Sequence, residues 1–280
     1  MKYVDSHQHY WKLARGDYGW LTPEHATLYR DFVPGDLLPE LMENSIAATV
    51  LVQAAPTEEE TRYLLGLAQD HASIAGVVGW VDFEAQDAAR RIGGLVSHGN
   101  GMLKGLRPMT QDIGDADWLS GSGLDSAFDA LVEHGLTFDA LVRTEHLHAL
   151  RARMQRNPGL KVVIDHGAKP PIASGETGEW LSEIQRTAAE TSAYCKLSGL
   201  LTEAAVGAAD SGLQPYVDHL IAAFGAHRVM WGSDWPVLCD RSSYSAWLAT
   251  AVRMLARNSP EDRQGIFGEN AVRFYSLDIK

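Results

Sequence analysis

Three short stretches of the chain carry side chains that could do chemistry together. The first is Asp5-Ser6-His7-Gln8-His9. It closes a β-rich run, and residues two apart on a strand point the same way, so His7 and His9 share one side. The second is Val163-Ile164-Asp165-His166-Gly167, and the third is Met230-Trp231-Gly232-Ser233-Asp234-Trp235-Pro236. Each places a histidine or an aspartate directly after an apolar run. Taken singly, a strand-end histidine is as often a structural hydrogen-bonding group, and a strand-end aspartate more often caps a loop. Brought to one place, imidazoles and a carboxylate suit proton transfer, carbonyl polarisation or the binding of one metal ion.

Whether they meet depends on the elements that carry them. Short apolar runs ended by Gly, Pro or polar clusters predict strands at 3–6, 47–53, 74–81, 103–107, 136–141, 161–165, 194–197 and 228–231. Such runs suit strands buried on both faces of a parallel sheet. Helical patterns alternate with them. Residues 58–71 put Thr61, Leu64, Leu65 and Ala68 on one side, and 214–224 do the same with Val217, Leu220, Ile221 and Phe224. Thr57 before Glu58-Glu59-Glu60 is a helix cap, and the acidic first turn suits the positive end of the dipole.

Eight strands alternating with helices predict an α/β fold, a single-domain (β/α)8 TIM barrel spanning residues 1–280. A doubly wound open sheet is disfavoured, because no glycine-rich phosphate loop follows the first strand. In a barrel the three strand ends share the C-terminal mouth, where active sites sit. The first βα loop, 8–35, is unusually long and carries Trp11, Tyr18, Trp20, Pro23, Phe32 and Pro34 before a helix-like segment at 36–44. Long ordered loops in compact domains are usually functional.

Bulk properties narrow the field. A formal charge of −12 disfavours nucleic acid and anionic membrane surfaces. No stretch approaches the ~20 apolar residues that span a bilayer. Two cysteines, Cys195 and Cys239, are too few for a disulfide framework and read as buried thiols in a reducing compartment. Met1-Lys2-Tyr3-Val4-Asp5 passes straight into polar residues with no signal peptide. The expectation is a cytoplasmic protein with a small-molecule partner; nothing in the sequence specifies an oligomeric state.

Nearly the whole chain resembles the amidohydrolase superfamily, in the branch containing sugar-lactone hydrolases and pyrone-dicarboxylate lactonase. The resemblance rests on His7-Gln8-His9, on Asp17-Tyr18…Trp20-Leu21…Leu28-Tyr29-Arg30-Asp31-Phe32, and on Gly105-Leu106-Arg107-Pro108. It rests also on Asp165-His166-Gly167-Ala168-Lys169-Pro170 and Trp231-Gly232-Ser233-Asp234-Trp235-Pro236. It implies that His7, His9, His166 and Asp234 form the catalytic centre. The chain departs from two-metal members of the superfamily. Its fourth strand ends in Leu106-Arg107, where those supply a metal-bridging group, and its fifth reads Thr137-Phe138-Asp139-Ala140, where those supply a histidine. His134, His146 and His148 lie outside the strand ends and read as surface or packing residues.

Opening a lactone needs an activated water and stabilisation of the oxyanion formed at the carbonyl. Asp234 is the candidate base; His7, His9, His166 and Arg107 are candidate donors to the carbonyl. Gln53, Asp139, Lys169, Trp11, Tyr18, Trp20 and Trp235 are candidate substrate contacts, each with an alternative structural reading. Asp139 and Gln53 could instead satisfy backbone groups, Arg107 could be a structural ion pair, and the aromatics could be core. Cys195, Lys196 and Ser198 are unassigned. A single zinc could use His7, His9 and Asp234, but two histidines are few for tight binding, so no cofactor is expected to be required. No Gly-x-Ser-x-Gly elbow supports a serine nucleophile. The leading expectation is hydrolysis of a sugar 1,4- or 1,5-lactone. The alternatives are a zinc-dependent amidohydrolase or decarboxylase on the same barrel, and an inactive binding barrel whose mouth is filled by packed side chains.

Overall fold

The computed structural model of the protein describes residues 3–207 and 212–279. Its strands are β1 (Tyr3–Gln8), β2 (Ile46–Val52), β3 (Ile74–Gly79), β4 (Leu103–Leu106), β5 (Thr137–Ala140), β6 (Lys161–Ile164), β7 (Tyr194–Leu197) and β8 (Val229–Trp231). They pair in parallel in sequential order, β1 to β8. Every predicted strand is present, with ends shifted by at most two residues. β1 runs on to Gln8, because the chain keeps pairing with β2 at Leu51.

Hydrogen bonds close the seam between β8 and β1. Ser6 Oγ donates to the Trp231 carbonyl at 2.7 Å. Asp234 N–H donates to His7 O at 2.8 Å, and His9 N–H to Trp235 O at 2.7 Å. Gly232 lets the strands come this close, since a Cβ there would stand 2.7 Å from the His7 Cβ. The sheet is thereby wrapped into the expected barrel.

The helices that follow the strands are α1 (Pro34–Glu43), α2 (Glu58–Asp70), α3 (Ala88–Gly99), α4 (Asp125–Glu133), α5 (Leu147–Arg156), α6 (Gly178–Glu190), the short α7 (Leu200–Glu203), α8 (Gln214–Phe224) and α9 (Tyr244–Met254). Two short helices, α10 (Pro260–Gln264) and α11 (Asn270–Tyr275), end the described chain. Thr57 caps α2 as expected, its hydroxyl accepting from Glu60 N–H at 3.1 Å. The predicted apolar face of α2, Thr61, Leu64, Leu65 and Ala68, is buried. No helix among the described residues is long and apolar enough to cross a membrane.

One apolar cluster joins the strands to the helices. A second gathers Val4, Val50, Val52, Val78, Val163 and Met230 against Phe274, Tyr275 and Leu277. That second cluster closes one end of the barrel, so the opposite mouth is the open end. The long first loop is packed rather than loose. Trp11 and Phe32 exchange backbone hydrogen bonds at 2.9 Å each, and Trp11 meets Trp20 and Phe32 edge-on at 5.5 and 5.2 Å.

Candidate active site

The ends of β1, β6 and β8 deliver the expected side chains to one point. Asp5, fully buried, ties two of these ends together. Its Oδ1 accepts the N–H groups of His7 (3.1 Å) and Ser233 (2.8 Å), and its Oδ2 accepts the Tyr244 hydroxyl at 3.0 Å. Burial pushes its pKa up to about 6 even against those hydrogen bonds. His166 and Asp234 both adopt left-handed backbone, with φ of 54° and 60°. Histidine and aspartate are among the residues that tolerate this region, at roughly 1–2 kcal/mol each. Gly199 at the end of β7 makes room for the His166 ring, because a Cβ there would stand 2.5 Å from Nδ1.

At the centre, Asp234 Oδ1 lies 3.3 Å from His9 Nε2, 3.7 Å from His7 Nε2 and 4.0 Å from His166 Nε2. His7 Nε2 and His9 Nε2 are 3.1 Å apart. Burial, reinforced by the Lys196 ammonium, holds the His7 pKa well below the usual value. Burial likewise lowers His166 to about 4. Burial alone would raise Asp234, but His166, His9 and His7 outweigh it and hold its carboxyl below the usual range. At neutral pH the centre is therefore an ionised carboxylate facing neutral His7 and His166.

Arg107, after β4, is aimed rather than free. Its Nε donates to Gln53 Oε1 at 2.9 Å, its Nη2 to the Gln53 carbonyl, and its Nη1 to Asp165 Oδ2 at 3.2 Å. Nη1 also lies 3.5 Å from His7 Nε2, which keeps the guanidinium beside the centre.

A cavity of about 230 Å³ opens over these groups, with His9, His166, Asp234 and Arg107 in its wall. That volume suits one small ring better than a drug-sized ligand. Trp20, Met109, Leu141 and Val237 give an apolar side, and Gln111, Asp112 and Thr202 a polar one. Among the described residues lining it, two are cations, and both have anionic partners: Arg107 has Asp165, and Lys169 has Glu203 at 2.9 Å. The mouth is not filled by packed side chains.

The structure divides the expected substrate contacts. Trp20 and Lys169 line the cavity. Five others lie elsewhere and are corrected accordingly. Gln53 has its amide engaged by Arg107 and the Ala55 carbonyl. Asp139 lies in the barrel interior, bound by Lys196, Tyr275 and Thr137. Trp11, Tyr18 and Trp235 are buried in the first-loop packing, because the Trp11–Phe32 pairing turns those rings inward. His146 caps a turn through Arg143 N–H, and His148 pairs with Asp117 at the surface.

Residues left unassigned by sequence reasoning stand directly behind the centre. Ser198 Oγ is 2.8 Å from His166 Nδ1, and Lys196 Nζ is 3.1 Å from His7 Nδ1. Their signal was a lysine and a serine two apart at the end of an otherwise apolar strand, the same spacing that flagged His7 and His9.

Residues 4–277 match the family described as Amidohydrolase. The chain belongs to the amidohydrolase family. This amidohydrolase is 44% identical to an L-fucono-1,5-lactonase of Burkholderia ambifaria over 279 residues, covering 98% of this chain and 96% of that one. It is 33% identical to an L-fucono-1,5-lactonase of Burkholderia multivorans, again over 98% and 96% of the two chains. A crystal structure of an amidohydrolase from Burkholderia multivorans with bound zinc superposes with a TM-score of 0.92 at 32% identity, covering 99% of this chain and 100% of that one.

The spacing in this amidohydrolase is compatible with one zinc ion, since ligand atoms of His7, His166 and Asp234 lie within 4.8 Å of one another. The expected set was His7, His9 and Asp234; the clustered ligand atoms have His166 in the place of His9. The hydrogen bonds behind the rings fit a metal less well. A metal-bound imidazole donates its other N–H to a carbonyl or carboxylate. His9 does so, its Nδ1 lying 2.8 Å from the Val52 carbonyl. His7 and His166 instead face an ammonium and a hydroxyl.

Proposed function

We propose that this amidohydrolase opens a sugar lactone to the hydroxy acid, with L-fucono-1,5-lactone as the leading substrate, and that it needs no metal ion to do so. The observation that carries the reading is the ionised Asp234 carboxylate facing neutral histidines in a one-ring cavity whose cations are already paired. A neutral polyhydroxylated ring matches such a wall; a dicarboxylate would need both its charges compensated.

In this scheme the lactone carbonyl points at Arg107 and the Nε2 groups of His7 and His166. Asp234 takes a proton from water as the water oxygen bonds to the carbonyl carbon. The negative charge gathers on the carbonyl oxygen, where one preorganised donor is worth about 3 kcal/mol of transition-state stabilisation. Collapse breaks the bond between carbonyl carbon and ring oxygen. The ring oxygen takes the proton back from Asp234 and leaves as a hydroxyl, and the new carboxylic acid loses its remaining proton to solvent to become a carboxylate. A lactone is already reactive, so two or three such donors suffice; an amide would also need its poorer leaving group protonated. A cytoplasmic setting and a place in carbohydrate metabolism belong to the same reading, which the unpaired thiols of Cys195 and Cys239 support.

The test is to follow L-fucono-1,5-lactone by proton NMR with and without enzyme. Conversion to the open acid well above the spontaneous rate is expected. A rate equal to the uncatalysed one, across this and a panel of other aldonolactones, would refute the reading.

A further inference from the structure

Behind the reacting face lies a charged cluster that the scheme above does not use. Lys196 is fully buried, and its Nζ stands 2.6 Å from Asp139 Oδ2, 3.0 Å from Asp165 Oδ1 and 3.1 Å from His7 Nδ1. The two carboxylates have further partners: Asp139 accepts from Tyr275 at 2.6 Å and Thr137 at 3.0 Å, and Asp165 from Arg107 at 3.2 Å. Buried carboxylates must be paired, and one ammonium with one guanidinium balances both.

The consequence falls on His7. An ammonium has three protons and no lone pair, and it is surrounded here by three acceptors. The imidazole nitrogen facing it must therefore present a lone pair, which leaves the proton of the neutral ring on Nε2. Two contacts favour the other tautomer, Asp165 Oδ1 at 3.5 Å from Nδ1 and the Arg107 Nη1 donor at 3.5 Å from Nε2, but both are longer and weaker than the 3.1 Å contact with the ammonium, which decides the proton's place. His9 has the opposite arrangement at Nδ1, where its N–H donates to the Val52 carbonyl at 2.8 Å, while its Nε2 faces His7 Nε2 at 3.1 Å and Asp234 Oδ1 at 3.3 Å.

We propose that Lys196 is a positioning residue that fixes His7 as its Nε2–H tautomer, making it a hydrogen-bond donor at the reacting carbonyl and denying its Nε2 to a metal ion. The donor role rests on the lactonase reading; the tautomer does not.

The test uses the whole protein with nitrogen-15-labelled histidine, with ring protonation read by long-range nitrogen–proton NMR correlation. In the wild type, His7 should carry its proton on Nε2 and His9 on Nδ1. Lys196→Met removes the donor, and Lys196→Met with Asp139→Asn removes a neighbouring charge of each sign so that net charge is kept. In either variant the His7 proton should move to Nδ1, facing Asp165. The zinc dissociation constant should then fall by roughly 10- to 100-fold, as second-layer changes typically alter it. Lactone kcat should fall by roughly the same factor, with KM little changed.

A wild-type His7 protonated on Nδ1 would overturn the proposal, and this can be read even if neither variant folds. So would a folded variant whose His7 tautomer and zinc affinity match the wild type. The expected tautomers and zinc shift together with no turnover of any lactone would support the proposal and sink the lactonase reading instead.

Discussion

Replacing Asp234 with asparagine isolates the charge at the centre. The side chain keeps its size, and asparagine tolerates the left-handed φ of 60° at this position. The backbone bonds are untouched: Asp234 N–H still reaches His7 O at 2.8 Å, and Leu238 N–H still reaches Asp234 O at 2.9 Å. The fold should therefore survive. What is lost is a carboxylate that His166, His9 and His7 hold ionised. General-base catalysis is worth about 10²–10⁴-fold, or about 3–5 kcal/mol of barrier. Initial rates of lactone opening, read with a pH indicator over a substrate range, should show kcat reduced at least a hundredfold, with KM moving far less. Circular dichroism and thermal melting check the fold, and elemental analysis of both proteins shows whether metal content changed with the rate. A folded variant keeping more than about a tenth of wild-type kcat would refute the assignment of Asp234 as base.

Three further outcomes follow from the same geometry. Gln53→Ala removes one of three anchors on the Arg107 guanidinium, the 2.9 Å bond to Nε, so kcat/KM should drop roughly 10- to 100-fold without any loss of a cavity-lining group; a value close to wild type would show that the residue-53 carbonyl and Asp165 alone aim Arg107. His166 titrates at about 4 rather than near 6.5, so its ring-proton NMR midpoint should lie near 4, and a midpoint near 6.5 would contradict its buried, neutral state. The sign for stability follows: the contribution of this lowered pKa is present above pH 6.5 and lost as pH falls toward 4, by about 3 kcal/mol in all. Asp5, raised to about 6, acts in the opposite sense: it favours the fold at low pH and loses that contribution as pH rises through 6. Activity should also survive exhaustive chelation, and a loss that returns in proportion to added zinc would show that the ion is needed.

The fold and the centre were legible because their signals are local. Eight apolar runs set the strands, and period-two spacing at a strand end put His7 and His9 on one side. Asp234 was legible as the polar group just beyond β8. What lies behind the centre was not. Lys196 and Ser198 share a side of β7 in the same way, yet which group each serves depends on how far β7 sits from β1 and β6 around the barrel. Gln53 and Asp139 were recognisable as polar groups on apolar strands, but their partners Arg107 and Lys196 come from other strands. The rings of Trp11, Tyr18 and Trp235 were visible as aromatics, while their direction is set by the pairing of Trp11 with Phe32, which no pattern in the loop announces.

The measurement that bears most directly on the account is a pair of specificity constants. L-Fucono-1,5-lactone and 2-pyrone-4,6-dicarboxylate are both cyclic esters, but one is neutral and the other carries two carboxylates. The cavity has Arg107 already paired with Asp165 and Lys169 already paired with Glu203. A dicarboxylate would have to break those pairs or leave its charges uncompensated, and leaving a charge unpaired in a desolvated site costs several kcal/mol. The account predicts kcat/KM for the neutral lactone at least roughly a hundredfold above that for the dicarboxylate, since each 1.36 kcal/mol is tenfold. Equal or reversed values would contradict it.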